Sequence, residues 1–360
     1  MSTVTIALDA MGGDRAPSEL VAGAVEAARG GVAVLLCGRS DLLERELAGH
    51  GAVEGVQIVE APDLIDFHDE PAAAVRSKPG SSMVTACRMV REGRAQGAIS
   101  AGSTGAMLAS SLLTMGRIKG VHRPAIAVPL PARGGPCVLI DAGANSESKP
   151  ENLCQFGIMG AIFAEEVLGI SDPNVGLLSV GEEATKGTSE VVEAHALLAA
   201  SGVNFGGNCE GRDALSGEFQ VVVADGFAGN VLLKGLEGAG AMLMRELRDA
   251  ARSSLRAKLG GLLLMPALRG LRDRIDPEAY GGAYLLGVRG ISVIAHGNSS
   301  RVAVHNAVTV AARGVEHDIV GRMAQRLGAS RPGTDLHGSD EVNTVPRDPE
   351  SENGEVGHES

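Results

Sequence analysis

Lys186 lies in the segment SVGEEATKGTSE (Ser179–Glu190), bracketed by Gly181 and Gly187, after a run that reads as a buried strand and before one with helical spacing. An ammonium held at a strand's end can neutralise negative charge developing on a reacting oxygen. It can equally be a solvated loop charge, and the segment alone does not separate the two. Asn230 ends the turn ADGFAGN, where its amide is either a neutral donor to a ligand or a helix cap. Four more turns have the same make-up: DAMGGD (Asp9–Asp14), SAGSTGA (Ser100–Ala106), IDAGAN (Ile140–Asn145) and AHGNSS (Ala295–Ser300). Glycine lets a ligand approach the backbone closely, and the free N–H groups of a helix start favour an anion. Together the six turns suggest a crevice built for phosphate. Neither G-x-x-x-x-G-K-[ST] nor G-x-G-x-x-G occurs in them, which disfavours the usual nucleotide enzymes.

The elements that must carry these turns are legible as short apolar runs alternating with helical spacing. The runs VTIALD, VAVLLC, VQIVEA, GAISA, AIAVPL, CVLIDA, NVGLLSV, VVVAD and ISVIAH read as strands, several apolar at successive positions as in parallel sheets covered on both faces. Helices are expected at Pro17–Arg29, Asp41–His50, Ser81–Glu92, Ser103–Met115, Leu153–Leu168 and Ser189–Ala200. This alternation indicates a doubly wound α/β fold, with the six turns gathered outside the carboxyl ends of the strands.

Among the 360 residues 44% are hydrophobic and 21% charged, a globular mixture in which only two Tyr, six Phe and no Trp are aromatic. The net charge of −12 and the scarcity of stacking side chains argue against nucleic acid as a partner. One domain is expected over residues 1–332. The tail, 333–360, carries eight acidic residues against one arginine, with little apolar content, and is expected to be disordered. Five scattered cysteines form no metal or disulfide pattern, so no metal, no cofactor and a cytoplasmic location are expected. No apolar run approaches the ~20 residues that span a bilayer. His195 falls among Val191, Val192 and Leu198 on the apolar side of its helix and reads as structural. Cys209, with nothing nearby to lower its pKa, reads as packing.

Taken in order, DAMGGD, SAGSTGA, IDAGAN, GEEATKG, GNCEGRD, DGFAGNVLLK and GGAYLLGVRG…AHGNSS resemble the bacterial phosphate acyltransferases of phospholipid synthesis, over roughly residues 4–315. Ser103 stands where that family usually carries Asn. The resemblance implies a fold similar to isocitrate and isopropylmalate dehydrogenases and to phosphotransacetylase, a homodimer, and the conversion of acyl-ACP and inorganic phosphate into acyl phosphate and ACP. It implies Lys186 and Asn230 as catalytic. Gly102, Ser103, Thr104 and Gly105 would hold phosphate, with Asp9, Gly12, Gly13, Asn145 and His296 in the wall of the same crevice.

One segment departs from the acidic background. Ala241–Ile275 holds eight basic and three acidic residues, with Gly260–Gly261 and Pro266 expected to break its helix into a hairpin. Leu259, Leu262, Leu263 and Leu264, with Arg256 and Lys258, could tip that hairpin and meet an anionic membrane surface or acidic ACP, or they could line a dimer interface. The implied product is used by a membrane acyltransferase, a further possible partner. Two other readings stand beside this one: a phosphotransacetylase-like enzyme acting on acyl-CoA, and a non-catalytic membrane-associated scaffold.

Overall fold

Ile6 and Leu8 face one buried apolar layer and Ala7 the opposite one. The same alternation separates Val34 and Leu36 from Leu35 and Cys37, Val138 and Ile140 from Cys137 and Leu139, and Val221 and Val223 from Val222. Successive strand side chains point to opposite faces, and both faces here are covered, which is why these runs are apolar throughout. The computed structural model describes residues 4–260, 262–265 and 280–329. The 333–360 tail, Gly261 and the segment 266–279 that would complete the hairpin lie outside the described residues.

The strands are β1 (Thr5–Asp9), β2 (Ala33–Gly38), β3 (Val56–Glu60), β4 (Gly97–Ser100), β5 (Ala125–Ala132), β6 (Gly135–Ile140), β7 (Val175–Leu178), β8 (Phe205–Cys209), β9 (Val221–Val223), β10 (Ala283–Leu286) and β11 (Ile291–Ile294). The helices are α1 (Ser18–Arg29), α2 (Ser40–Ala48), α3 (Pro71–Ser77), α4 (Ser82–Arg91), α5 (Thr104–Ser110), α6 (Pro150–Glu166), α7 (Ser189–Ala199), α8 (Gly226–Arg252), α9 (Arg301–Glu316) and α10 (Ile319–Ala329). A π-turn, Ser111–Met115, continues α5. One layer draws on α1, α6, α7, α9 and α10 through Leu20, Phe156, Leu198, Val304 and Met323; the other draws on α4 and α5 through Met83, Cys87 and Met107.

The strands form one sheet in the order β3-β2-β1-β4-β11-β10-β5-β6-β9-β7-β8. Five neighbours, β3 to β11, are mutually parallel, and so are the four from β6 to β8. Between them β10 pairs antiparallel with both β11 and β5, and β5 antiparallel with β6. Three reversals turn the second parallel group against the first. The α/β architecture matches expectation, but the single crevice does not. The turns after β1, β4 and β11 open at one edge of the sheet, and those after β6, β7 and β9 at the opposite edge.

Helix α8 continues for 27 residues, about 40 Å, and buries only Gly226 and Gly229. Leu232, Leu233 and Leu236 lean on the second layer, whereas Met242, Leu243 and Leu247 are 48–58% exposed. The helix is interrupted at Ser253–Ser254: the Ser253 hydroxyl donates to the Ala250 carbonyl at 2.8 Å, and Ser254 Oγ accepts the Ala257 N–H at 3.1 Å. Of the break expected at Gly260–Gly261 and Pro266, Gly261 and Pro266 lie outside the described residues. The backbone is then helical at 255–260 and 262–265. Among the described residues no helix is long and apolar enough to cross a membrane.

Candidate active site

At the first edge three glycine-rich turns interlock around Asp9, which is 1% exposed. Asp9 Oδ1 accepts the N–H groups of Met11 and Gly12, each at 3.1 Å, and Oδ2 accepts the Ser100 hydroxyl at 2.6 Å. Ser100 Oγ in turn accepts the Gly102 N–H at 3.0 Å. Burial pushes the Asp9 carboxyl above its ordinary pKa, opposed by these donors. A Cβ on Gly12 would lie 2.5 Å from Asp9 Oδ2, so only glycine admits this closeness. The Asp14 N–H reaches the Gly297 carbonyl at 2.7 Å, drawing in the turn that carries the exposed His296. Ser103 caps α5, its hydroxyl oxygen accepting the Ala106 N–H at 3.5 Å. The first-turn N–H groups of Thr104 and Gly105 have no intrahelical acceptor. The structure thus gathers Asp9, Gly12, Gly13, His296 and the 102–105 turn.

Lys186, Asn145 and Asn230 lie at the opposite edge, which is built on a second buried carboxylate that sequence reading passed over. Asp141, fully buried, accepts five N–H bonds: Ile126, Gly143 and Ala144 on Oδ1, and the Asn145 backbone and side chain on Oδ2, all within 3.2 Å. Burial nevertheless raises its pKa. Asp9-Ala-x-Gly and Asp141-Ala-Gly at the ends of two strands are the signal that could have found it. Asn145, expected in the phosphate wall, commits both amide hydrogens to Asp141 and to the Pro124 carbonyl at 2.8 Å. It braces the loop.

The first turn of α8 rests on this loop. A Cβ on Gly229 would fall 1.9 Å from the Asp141 carbonyl oxygen, so glycine alone permits the contact. The helix cap is Asp225, whose Oδ1 accepts the Ala228 N–H at 2.9 Å, so Asn230 is not the cap. Its side chain is exposed beside Gly143, where a Cβ would lie 3.5 Å from Asn230 Oδ1. One strand over, Lys186 is exposed in the loop after β7. Its peptide is held on both sides: its N–H donates to the Glu183 carbonyl at 3.0 Å, and its carbonyl accepts the Ser179 hydroxyl at 3.0 Å. The neighbouring Glu182 pairs with Arg212 at 3.2 Å rather than with Lys186. Val180 and Phe227, 81% and 69% exposed, add apolar surface beside the two candidates. Cys209 is buried and its thiol is pushed up to about 12 by burial, in keeping with packing.

Residues 4–322 match the family described as fatty acid synthesis protein. The chain is 49% identical over 325 residues to the phosphate acyltransferase of Heliobacterium modesticaldum, covering 89% of this chain and 97% of that protein. It is 48% identical over 316 residues to that of Pelotomaculum thermopropionicum, covering 88% and 92%. Among solved structures, a phosphotransacetylase from Streptococcus pyogenes superposes with a TM-score of 0.60 at 17% identity, over 87% of this chain and 94% of that one. A 4-hydroxythreonine-4-phosphate dehydrogenase from Klebsiella pneumoniae gives 0.51 at 15% identity, over 90% and 100%. At such identities the likeness shows the fold alone, while the sequence relatives reach further: the chain belongs to the phosphate acyltransferase family.

Proposed function

We propose that this chain transfers an acyl group from acyl-ACP to inorganic phosphate, releasing acyl phosphate and ACP for glycerophospholipid synthesis. The observation that carries the reading is the exposure of Lys186 and Asn230 at the ends of adjacent parallel strands, in a chain 48–49% identical to phosphate acyltransferases. A phosphate oxygen attacks the thioester carbonyl carbon, the carbonyl π pair moves to oxygen, and its return expels the thiolate. Phosphate is already an oxyanion, so no side chain need be activated as a nucleophile. The protein's work is to orient phosphate and stabilise charge on the carbonyl oxygen and the departing sulfur. Lys186 supplies a cation and Asn230 a neutral donor, while Val180 and Phe227 offer apolar contact to the chain. Phosphate-dependent thiol release from acyl-ACP and acyl-CoA, measured side by side, tests the donor. Faster turnover of acyl-CoA would favour a phosphotransacetylase-like enzyme.

In this reading phosphate rests on the 102–105 turn. Ser103 precedes α5 with φ −60° and ψ 124°, a conformation compatible with a following proline. Thr104→Pro would therefore remove one first-turn N–H at a position where proline is tolerated. A hydrogen bond to a charged group contributes about 1.5–3 kcal/mol, so KM for phosphate should rise about tenfold or more. An unchanged value would move phosphate elsewhere.

Because this turn and Lys186 open at opposite edges of one sheet, the reading requires two copies of the chain, each completing the other's site. The exposed apolar face of α8 supplies a surface for that homodimer. The fold is taken, by the motif resemblance, to be of the isocitrate and isopropylmalate dehydrogenase type. A cytoplasmic enzyme that touches the membrane is supported by Leu259, Leu262, Leu263 and Leu264, 58–76% exposed beside the exposed Arg256 and Lys258. Release of an amphiphilic product at the bilayer, near a membrane acyltransferase, would follow. Replacing Leu263 and Leu264 by Glu should abolish co-sedimentation with anionic vesicles while sparing turnover in solution; undiminished sedimentation would remove the membrane contact.

A further inference from the structure

The motif GNCEGRD (Gly207–Asp213) has no part in the chemistry above, yet it grips the loop that carries Lys186. It ends β8, the outermost strand among the described residues, which offer no other strand beyond it to steady that loop. Asn208 is 5% exposed. Its Nδ2 donates to the Glu183 carbonyl at 2.8 Å, and that same carbonyl accepts the Lys186 N–H at 3.0 Å. Asn208 Oδ1 lies 3.0 Å from His195 Nδ1. Since the Asn208 amide group already donates to Glu183, its oxygen is the acceptor and His195 Nδ1 carries the hydrogen. The imidazole is fixed from behind by α7 and edge-on against Phe205, with ring centroids 5.0 Å apart. The motif holds the loop at two further points: the Cys209 carbonyl accepts the Ser179 N–H at 2.8 Å, and Arg212 pairs with Glu182, both side chains two-thirds exposed.

We propose that Asn208, oriented by His195, is a positioning residue for Lys186. The His195–Asn208–Glu183 chain connects the helix core to the peptide of the lysine through three hydrogen bonds. A loop with nine consecutive exposed residues, 182–190, has few packing contacts to set its shape. A buried amide hydrogen-bonded at both its nitrogen and its oxygen can do so, because leaving its partners unpaired is costly. This inference rests on Lys186 being catalytic, and the test separates the two.

The experiment is a double-mutant cycle on the full chain, reading kcat and KM for acyl-ACP from Lys186→Ala, Asn208→Ala and the double variant. If Asn208 works through Lys186, Asn208→Ala lowers kcat about tenfold or more with KM within about twofold, as small displacements of a catalytic group do. In the Lys186→Ala background the same change costs less than about twofold, because the effects are not independent. Equal losses in both backgrounds would make Asn208 merely structural and overturn the proposal, as would wild-type kcat in Asn208→Ala. Full activity in Lys186→Ala would instead defeat the catalytic reading of the lysine. Should Asn208→Ala fail to fold, His195 serves in its place. His195→Ala is expected to lower kcat and His195→Asn, which keeps a donor near the Nδ1 position, to restore it. Identical kcat in that pair and the wild type would overturn the proposal.

Discussion

Lys186→Ala is expected to lower kcat by about a hundredfold or more, the cost of removing one preorganised donor from a developing oxyanion. KM for acyl-ACP should stay within a few-fold, because the charge that the ammonium meets arises only as phosphate attacks. The loop is built for the side chain to act outward: its peptide is bonded at both ends, its neighbour Glu182 is turned to Arg212, and the side chain is exposed. Lys186→Arg keeps the charge but replaces a compact ammonium by a planar fork, so partial recovery is expected. Asn230→Ala should cost less than loss of the cation, since a neutral donor stabilises an oxyanion less strongly. Initial rates of phosphate-dependent thiol release, with far-ultraviolet circular dichroism to confirm folding, check all three. Normal turnover in Lys186→Ala would remove the lysine from the chemistry.

Much of this arrangement is written locally. Ser81, Ser103, Thr188 and Ser300 each cap a helix with the side-chain oxygen, and the apolar runs they follow or precede became the expected strands. The strand Phe205–Cys209 was not legible, because FGGNC is glycine-rich and lies at a sheet edge where burial imposes no pattern. Ala283–Leu286 is only four residues long and sits between glycines. That short strand matters most. Its antiparallel pairing, with that of β5, reverses half the sheet, and strand direction is set by long-range partners rather than by local composition. So six similar turns read as one crevice and resolve into two. Lys186 and Asn230 stand out through the resemblance; their residue types alone leave a loop charge and a cap. Asp141 and Asn208 escaped because a buried carboxylate or amide shows its value only through the backbone groups it collects.

The separation of the two edges leads to a sharper expectation. β4 and β7, each four residues long at about 3.3 Å per residue, point in opposite directions and keep the 102–105 turn and Lys186 of one chain apart by more than a hydrogen bond can reach. If both serve one reaction, they come from different copies. Thr104→Glu places a carboxylate where phosphate would bind, and Lys186→Ala removes the cation; each variant alone should be nearly inactive. Dissociated, mixed in equal amounts and reassembled, they should regain activity, because a mixed dimer pairs the intact turn of one chain with the intact lysine of the other. With random pairing, half the dimers are mixed and each has one complete site, so about a quarter of wild-type turnover is expected. Mixing two different inactive variants of the same edge, Lys186→Ala with Lys186→Met, should restore nothing. Recovery confined to the cross-edge mixture would tie the glycine turn of one copy to the lysine of its partner. Absence of recovery, with mixed dimers verified by mass, would confine the reaction to one edge and leave the Asp9 turns a purely structural knot.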